Sequence, residues 1–332
     1  MMNKVIRLKN RPEGTPQTSD FEFVTEDTPS PKQNEILLAA RYVSVDPYLR
    51  GRMMDQKSYI EPFKLNEPIV SGIIAEVIDS KNENFKKGDF VNGMLSWKEI
   101  QTSTGEGLSK VDPDKAPLST YLGVLGLTGL TAYFGLMKLG MPKEGDTLVV
   151  SGAAGAVGTI VGQIGKINGC KVIGIAGSDE KVEMLKSKFG YDVAINYNTT
   201  SDMNAAIAEA APNGVNVFFD NVGGPIFDAV MANIARNAHV VLCGAIADYN
   251  KTETPTGPRV NTAIIKNSVT MSGFTLGDFR SDFPEGVQKL AGWLSSGKLE
   301  YEETIVEGFD NIPQAFLDLF DGKNKGKMVV KI

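Results

Sequence analysis

The chain has 332 residues, 42% of them apolar and 22% charged, with a formal net charge of −6. That is the composition of a packed globular protein, and an acidic balance without a long basic run argues against a nucleic-acid partner. No stretch approaches the ~18 consecutive apolar residues of a membrane span and the N-terminus lacks an apolar signal core, so no membrane partner and a cytoplasmic location are expected.

The only cysteines are Cys170 and Cys243, and the only histidine is His239. Residues 1–169 contain neither type, so the usual ligand sets for structural or catalytic zinc are missing and no metal is expected. A serine or cysteine triad would have to run through His239 alone, at the start of a strand-like run.

The length suggests about two domains at roughly 150 residues each. Residues 1–122 carry short β-type runs, FEFVTE, EILLAARYVSV, IVSGIIAEVIDS and DFVNGML, separated by Pro, Gly and Asn. They predict an irregular, mainly antiparallel β domain. The stretch IQTSTGEGLSKVDPD reads as a loop. From Thr128 helical spacing begins in TGLTAYFGLMKLG, and strands and helices then alternate. TLVVSG, KVIGIAG, DVAIN, VNVFFD and HVVLCGA read as strands; GTIVGQIGKI, DEKVEMLKSKFG, SDMNAAIAEAA and PIFDAVMANI read as helices. Apolar strands each followed by a helix imply a doubly wound parallel sheet, a Rossmann domain over 123–293. The tail, YEETIVEGF and KMVVKI around a helix in IPQAFLDLF, returns to β character, so residues 294–332 are expected to rejoin the first domain.

Between TLVVS and its helix stands GAAGAVG, residues 152–158. Against the G-x-G-x-x-G dinucleotide fingerprint, Gly155 and Gly158 match and Ala153 replaces the first glycine. Gly155 lets a pyrophosphate approach the backbone, Gly158 lets the helix pack on the strand, and Gly152 can take over part of the turn. The next strand ends in Gly177-Ser178, without the carboxylate that holds the ribose 2′-hydroxyl of NAD. Lys181 follows, suited to a 2′-phosphate, unless it belongs to a solvated helix face. NADP(H) is therefore favoured.

With VDPYLRGRM (45–53), GLTGLTAYFGL (126–136), GAAGAVG, GSDEK (177–181), FFDNVGG (218–224) and CGAIADYN (243–250), the sequence resembles the medium-chain dehydrogenase/reductase superfamily. It is most similar to the zinc-independent branch of prostaglandin reductase (leukotriene B4 12-hydroxydehydrogenase), plant alkenal double-bond reductases and bacterial curcumin reductase. Where zinc enzymes of the superfamily carry Gly-His-Glu, this chain has Glu67, Pro68 and Ile69. The resemblance implies a GroES-like β domain beside the Rossmann domain, and commonly a homodimer paired through Rossmann sheets, with KNSVTMSGFTL (266–276) as the candidate edge strand. It also implies a cofactor site of Gly155, Ala156, Val157, Gly158, Lys181, Tyr197, Asn221, Cys243, Gly244, Ala245, Ile246, Tyr249, Phe274, Thr275, Leu276 and Asn324; Asn324 reads equally well as a left-handed turn residue.

The implied reaction is NADPH-dependent reduction of the C=C bond of enones and enals. Hydride addition at the β-carbon leaves an enolate that needs a donor, and Tyr249 is the candidate, acting directly, through a cofactor ribose hydroxyl, or only packing beside the cofactor. Tyr48, with Met53 and Tyr59, is the candidate substrate side; Arg50 and Arg52 are expected to fix that loop by salt bridges. A zinc-free NADPH quinone reductase and a non-catalytic NADPH-binding protein are the alternatives.

Overall fold

The computed structural model describes residues 2–332. Their contacts group into two units: one runs to Gly123 and includes Thr304–Asn324 and Met328–Ile332, the other holds Val124–Glu303 and Lys325–Lys327.

In the first unit β1 (Met2–Leu8) and β2 (Phe21–Asp27) pair antiparallel. A second sheet contains β3 (Ile36–Ser44), β4 (Val70–Ser80), β5 (Phe90–Ser96), β6 (Ile100–Ser103) and β7 (Ser109–Val111), with the short helix α1 (Leu49–Arg52) between β3 and β4. The region 100–115 thus holds two short strands where the sequence reads as loop, because β6 finds a partner in β3 and β7 in β5. Ile6, Leu38, Ile73, Val91 and Trp97 are fully buried in the core of this unit, and the Trp97 indole donates to Ser71 Oγ at 2.8 Å. Burying so much apolar surface is the main stabilising term, and the indole N–H keeps a partner. Arg50 donates to the carbonyls of Pro12 and Gly14. Arg52 donates to those of Glu61 and Val70 and lies 4.0 Å over the Phe63 ring, so carbonyls and a ring hold Arg52 in place of the expected salt bridge.

The second unit opens with α2 (Leu127–Phe134), which continues as a wider π-helical turn over Gly135–Gly140. One uniform helix was the expectation from periodicity. A Cβ on Gly135 would lie 2.7 Å from the Phe274 ring and 2.8 Å from Phe219, so close packing on the sheet, which periodicity does not encode, accompanies the change of pitch. The alternation follows: β8 (Thr147–Ser151), α3 (Gly158–Ile167), β9 (Lys171–Ala176), α4 (Asp179–Ser187), β10 (Val193–Asn196), α5 (Met203–Ala210), β11 (Val215–Asp220), α6 (Gly224–Ala232), β12 (Ile234–Leu242), α7 (Asn261–Asn267), β13 (Thr270–Gly273) and α8 (Phe283–Ser295).

The six strands lie in the order β10-β9-β8-β11-β12-β13, every neighbour parallel. Counted from β8, this is the 3-2-1-4-5-6 order of the dinucleotide-binding sheet, which reverses between β8 and β11. β12 begins earlier than HVVLCGA suggests, since polar Arg236 and Asn237 disguise its start, where Asn237 sits at φ 59 and the pairing with β11 shifts register. Of KNSVTMSGFTL only Thr270–Gly273 is strand; its first residues end α7. Residues 294–303 stay with this unit, where the Gln163 side chain exchanges two hydrogen bonds with the Glu300 backbone, at 2.8 and 2.9 Å.

The chain returns through β14 (Glu303–Glu307), α9 (Ile312–Asp318) and β15 (Lys327–Lys331), extending the second sheet of the first unit to β14-β15-β3-β4-β5-β7.

The buried Tyr191 hydroxyl donates to the Gly158 carbonyl at 2.7 Å, tying the end of α4 to the start of α3. Tyr191→Phe removes this hydrogen bond and is expected to lower stability by ~1 kcal/mol in urea unfolding; an unchanged midpoint contradicts this role.

Candidate cofactor and active site

In a parallel sheet of this order, ligands collect beyond the carboxyl ends of the strands where the order reverses. That place lies between the ends of β8 and β11. The Ser151 hydroxyl donates to Asp220 Oδ1 at 2.6 Å and accepts the Asn221 amide at 2.8 Å, while the Asn221 side chain donates to the Ser151 carbonyl at 2.8 Å. Asp220 also accepts the amides of Val222 and Gly223 at 3.1 Å, and its own carbonyl accepts those of Cys243 and Gly244. Burial raises the proton affinity of its carboxyl; the hydrogen bonds from Ser151, Gly223 and Val222 oppose that rise.

Gly152 takes φ 57, so it makes the left-handed turn and Ala153 does not have to. A Cβ on Gly158 would lie 2.5 Å from the Gly152 carbonyl oxygen and 2.6 Å from Ala153 Cα, so the first residue of α3 packs directly on the turn. Gly155 and Gly326 form a parallel bridge, which engages the Ala156 amide; among the described residues no backbone carbonyl accepts the amides of Val157 or Gly158. First-turn amides without a backbone acceptor at the positive end of a helix are anion donors.

At the end of β9, Ser178 caps α4 by accepting the Lys181 amide at 3.3 Å. The Tyr197 hydroxyl lies close to Gly177, where a Cβ would be 2.6 Å from it, and the Asn198 side chain donates to the Gly177 carbonyl at 2.7 Å. Asp179 accepts from Asn196 at 2.7 Å. Burial lowers the proton affinity of Lys181. Free first-turn amides, a desolvated lysine and two hydroxyls fit a dinucleotide with an adenosine 2′-phosphate.

Beyond β12, residues 243–249 fold over the Asp220 loop: the Ala247 amide donates to Val222 at 3.0 Å and the Asp248 amide to Ala245 at 2.8 Å. The Tyr249 oxygen accepts the Ala245 amide at 3.2 Å, and burial is the main cause of its raised pKa. A concavity of about 400 Å3 is lined by Gly223, Phe227, Leu242, Cys243, Asp248 and Tyr249, among others. Burial pushes the Cys243 thiol up to about 12, which keeps it protonated and poorly nucleophilic. Phe274, Thr275 and Leu276 follow β13 on the same edge, where Phe274 meets the Phe279 ring edge-on at 6.0 Å. Ile246 belongs to the same turn, its amide aimed at the Asn221 carbonyl.

The remaining expected residues lie in the first unit. Tyr48 precedes α1 and packs half-buried against the core, and Tyr59 is 69% exposed. Met53 is 1% exposed within that core, so it is a packing residue rather than part of a ligand-facing surface. Asn324 stands between α9 and β15. Sequence reasoning misses Ser151 and Asp220. The signal was a polar residue ending each of two apolar strands, TLVVS and VNVFFD. Among the described residues, no three His, Cys, Asp or Glu side chains converge as metal ligands.

Residues 4–111 match the family model described as the N-terminal domain of oxidoreductase, and residues 156–292 the model described as zinc-binding dehydrogenase. The chain is 54% identical over 329 residues to a Bacillus subtilis (strain 168) protein described as NADP-dependent oxidoreductase YfmJ, covering 98% of this chain and 97% of that one. It is 39% identical over 335 residues to the 2-alkenal reductase (NADP(+)-dependent) of Nicotiana tabacum, covering 99% and 97%. The crystal structure of CurA from Vibrio vulnificus in complex with NADPH superposes with a TM-score of 0.94 at 41% identity, covering 99% and 98%. An NADP(H)-binding Rossmann unit, an antiparallel β unit and near full-length similarity to these reductases lead to one conclusion: the chain belongs to the zinc-independent branch of the medium-chain dehydrogenase/reductase family and is an NADP-dependent oxidoreductase.

Proposed function

We propose that this protein reduces the C=C bond of α,β-unsaturated ketones and aldehydes, and that Tyr249 is its oxyanion donor. Bound NADPH supplies a hydride, which this chemistry directs to the β-carbon. Negative charge then develops on the substrate carbonyl oxygen, which needs a neutral donor already in place. The observation that carries the reading is the Tyr249 hydroxyl. Its oxygen takes the Ala245 amide, which orients the ring and leaves the phenolic proton to donate.

In this reading the turn of Gly155, Ala156, Val157 and Gly158 holds the diphosphate, with the amides of Val157 and Gly158 as donors, and Lys181 and Tyr197 hold the 2′-phosphate. Asn221, the segment Cys243, Gly244, Ala245, Ile246 and Tyr249, and Phe274, Thr275 and Leu276 border the nicotinamide, and Asn324 contributes from the C-terminal segment. Tyr48 and Tyr59, in the first unit, are the residues proposed for the substrate side. The α-carbon proton comes from solvent.

The test is NADPH consumption at 340 nm with a simple aryl enone, beside NADH and beside a simple quinone. Loss of the double bond with the ketone retained supports the reading. Turnover of quinone alone makes the protein a quinone reductase, and binding without any turnover makes it a cofactor-binding protein. Tyr249→Phe is expected to lower kcat by about 10²-fold, the scale of one oxyanion donor, with little change in KM for NADPH. Because its pKa is raised, Tyr249 stays a donor through the ordinary phenol range; kcat should show no fall from its ionisation up to about pH 10. A fall in kcat as pH rises through the range below about 10 that disappears in Tyr249→Phe contradicts the assignment.

We also place the protein in the cytoplasm as a homodimer. Both cysteines are free thiols, suited to a reducing compartment. β13 ends the six-stranded sheet with its outer edge open, and Ile265 of the neighbouring α7 is 78% exposed. An open edge and exposed apolar surface are what a second copy can cover. Light scattering at micromolar concentration is expected to give twice the chain mass; a monomeric mass contradicts the dimer.

A further inference from the structure

The C-terminal segment brings a second lysine to the adenosine end of the site. Gly326 takes φ 61 and its amide donates to the Ala154 carbonyl, within the glycine turn, at 2.8 Å. A Cβ there would lie 1.9 Å from the Glu302 carbonyl oxygen, so the position accepts only glycine. The preceding residue, Lys325, is thereby anchored next to the turn. Its ammonium reaches Glu180 Oε1 at 2.7 Å, in the first turn of α4.

Glu180 is the chain neighbour of Lys181. An uncompensated carboxylate there would repel a 2′-phosphate, which carries roughly −1.5 to −2 charges at neutral pH. We propose that Lys325 is a specificity-determining residue for NADPH over NADH: it neutralises Glu180 and adds a second cation beside Lys181. This rests on the assignment of Lys181 to the 2′-phosphate. The C-terminal segment then takes part in choosing the cofactor together with the loop after β9.

The electrostatics agree with this geometry. The hydrogen bond to Lys325 holds the Glu180 carboxyl below its ordinary range, and the same bond holds the Lys325 ammonium above its own. Lys181, its proton affinity lowered first by burial, is also stabilised in its charged form by Glu180 and opposed by Lys325, so all three groups lie within electrostatic reach. The side chains of Lys325 and Glu180 are 38% and 73% exposed. An ion pair so open to water adds little to stability, so Lys325 can turn from the carboxylate to a phosphate at small cost.

The test compares Lys325→Met, Glu180→Gln, the double variant and Lys181→Met in steady-state kinetics with NADPH and with NADH, and by calorimetric titration with 2′,5′-ADP. Lys325→Met should raise KM for NADPH and Kd for 2′,5′-ADP about tenfold, the scale of one charge-assisted contact, and leave KM for NADH unchanged. The effect should shrink at high salt, and adding Glu180→Gln should recover much of the loss. The proposal is overturned if Lys325→Met shifts NADPH and NADH by the same factor, which marks a purely structural segment, or shifts neither. Lys181→Met tests the underlying assignment separately. If it leaves NADPH preference intact, the 2′-phosphate site itself is wrong; if it abolishes that preference while Lys325→Met does not, only the present inference fails.

Discussion

The hydrogen bond between Ser151 and Asp220 joins the two strands at which the sheet reverses direction. Strands β8 and β11 lie side by side, and the chain leaves them to build connections on opposite sides, which opens a crevice at their carboxyl ends. Ser151 closes the base of that crevice by donating to Asp220 and accepting from Asn221. Asp220 then gathers the amides of Val222 and Gly223 on its carboxylate and those of Cys243 and Gly244 on its carbonyl. The segments after β8, β11 and β12 are therefore positioned from one buried polar cluster, and the placement of Tyr249 derives from it.

Charge is distributed along the crevice in a way that suits the ligand. At the switch point the carboxylate is enclosed by donors, so its charge is spent within the protein. At the diphosphate turn the chain presents amides at a helix N-terminus, and at the far end it presents lysines. A fully satisfied buried network fixes geometry, and an unpaired buried carboxylate would be costly. On the proposed mechanism the catalytic demand on the protein is small: one neutral phenol, oriented by the Ala245 amide and kept protonated by burial.

Much of this was legible in the sequence, for physical reasons. Apolar strands such as TLVVS and VNVFFD and the glycine turn between strand and helix follow from local chain chemistry, so the parallel sheet and the turn at Gly152 could be read directly. What escaped depends on contacts distant in sequence. The start of β12 hides behind Arg236 and Asn237 because a register shift, not hydrophobicity, marks it. The π-turn at Gly135 answers to Phe274 and Phe219. Ser151 and Asp220 look like ordinary strand-end residues until the sheet order makes them neighbours. Met53 shows the converse: motif resemblance places it on the substrate side, and the first unit encloses its side chain.

The central claim is that the protein delivers the cofactor's hydride to the β-carbon of an enone while Tyr249 holds the oxygen. Its most direct test is turnover of an aryl enone with NADPH deuterated at the transferable C4 position, followed by NMR of the product. The account predicts deuterium at the β-carbon of a saturated ketone, with the α-carbon proton exchanged from solvent. Deuterium on a carbinol carbon, with the double bond intact, would contradict it.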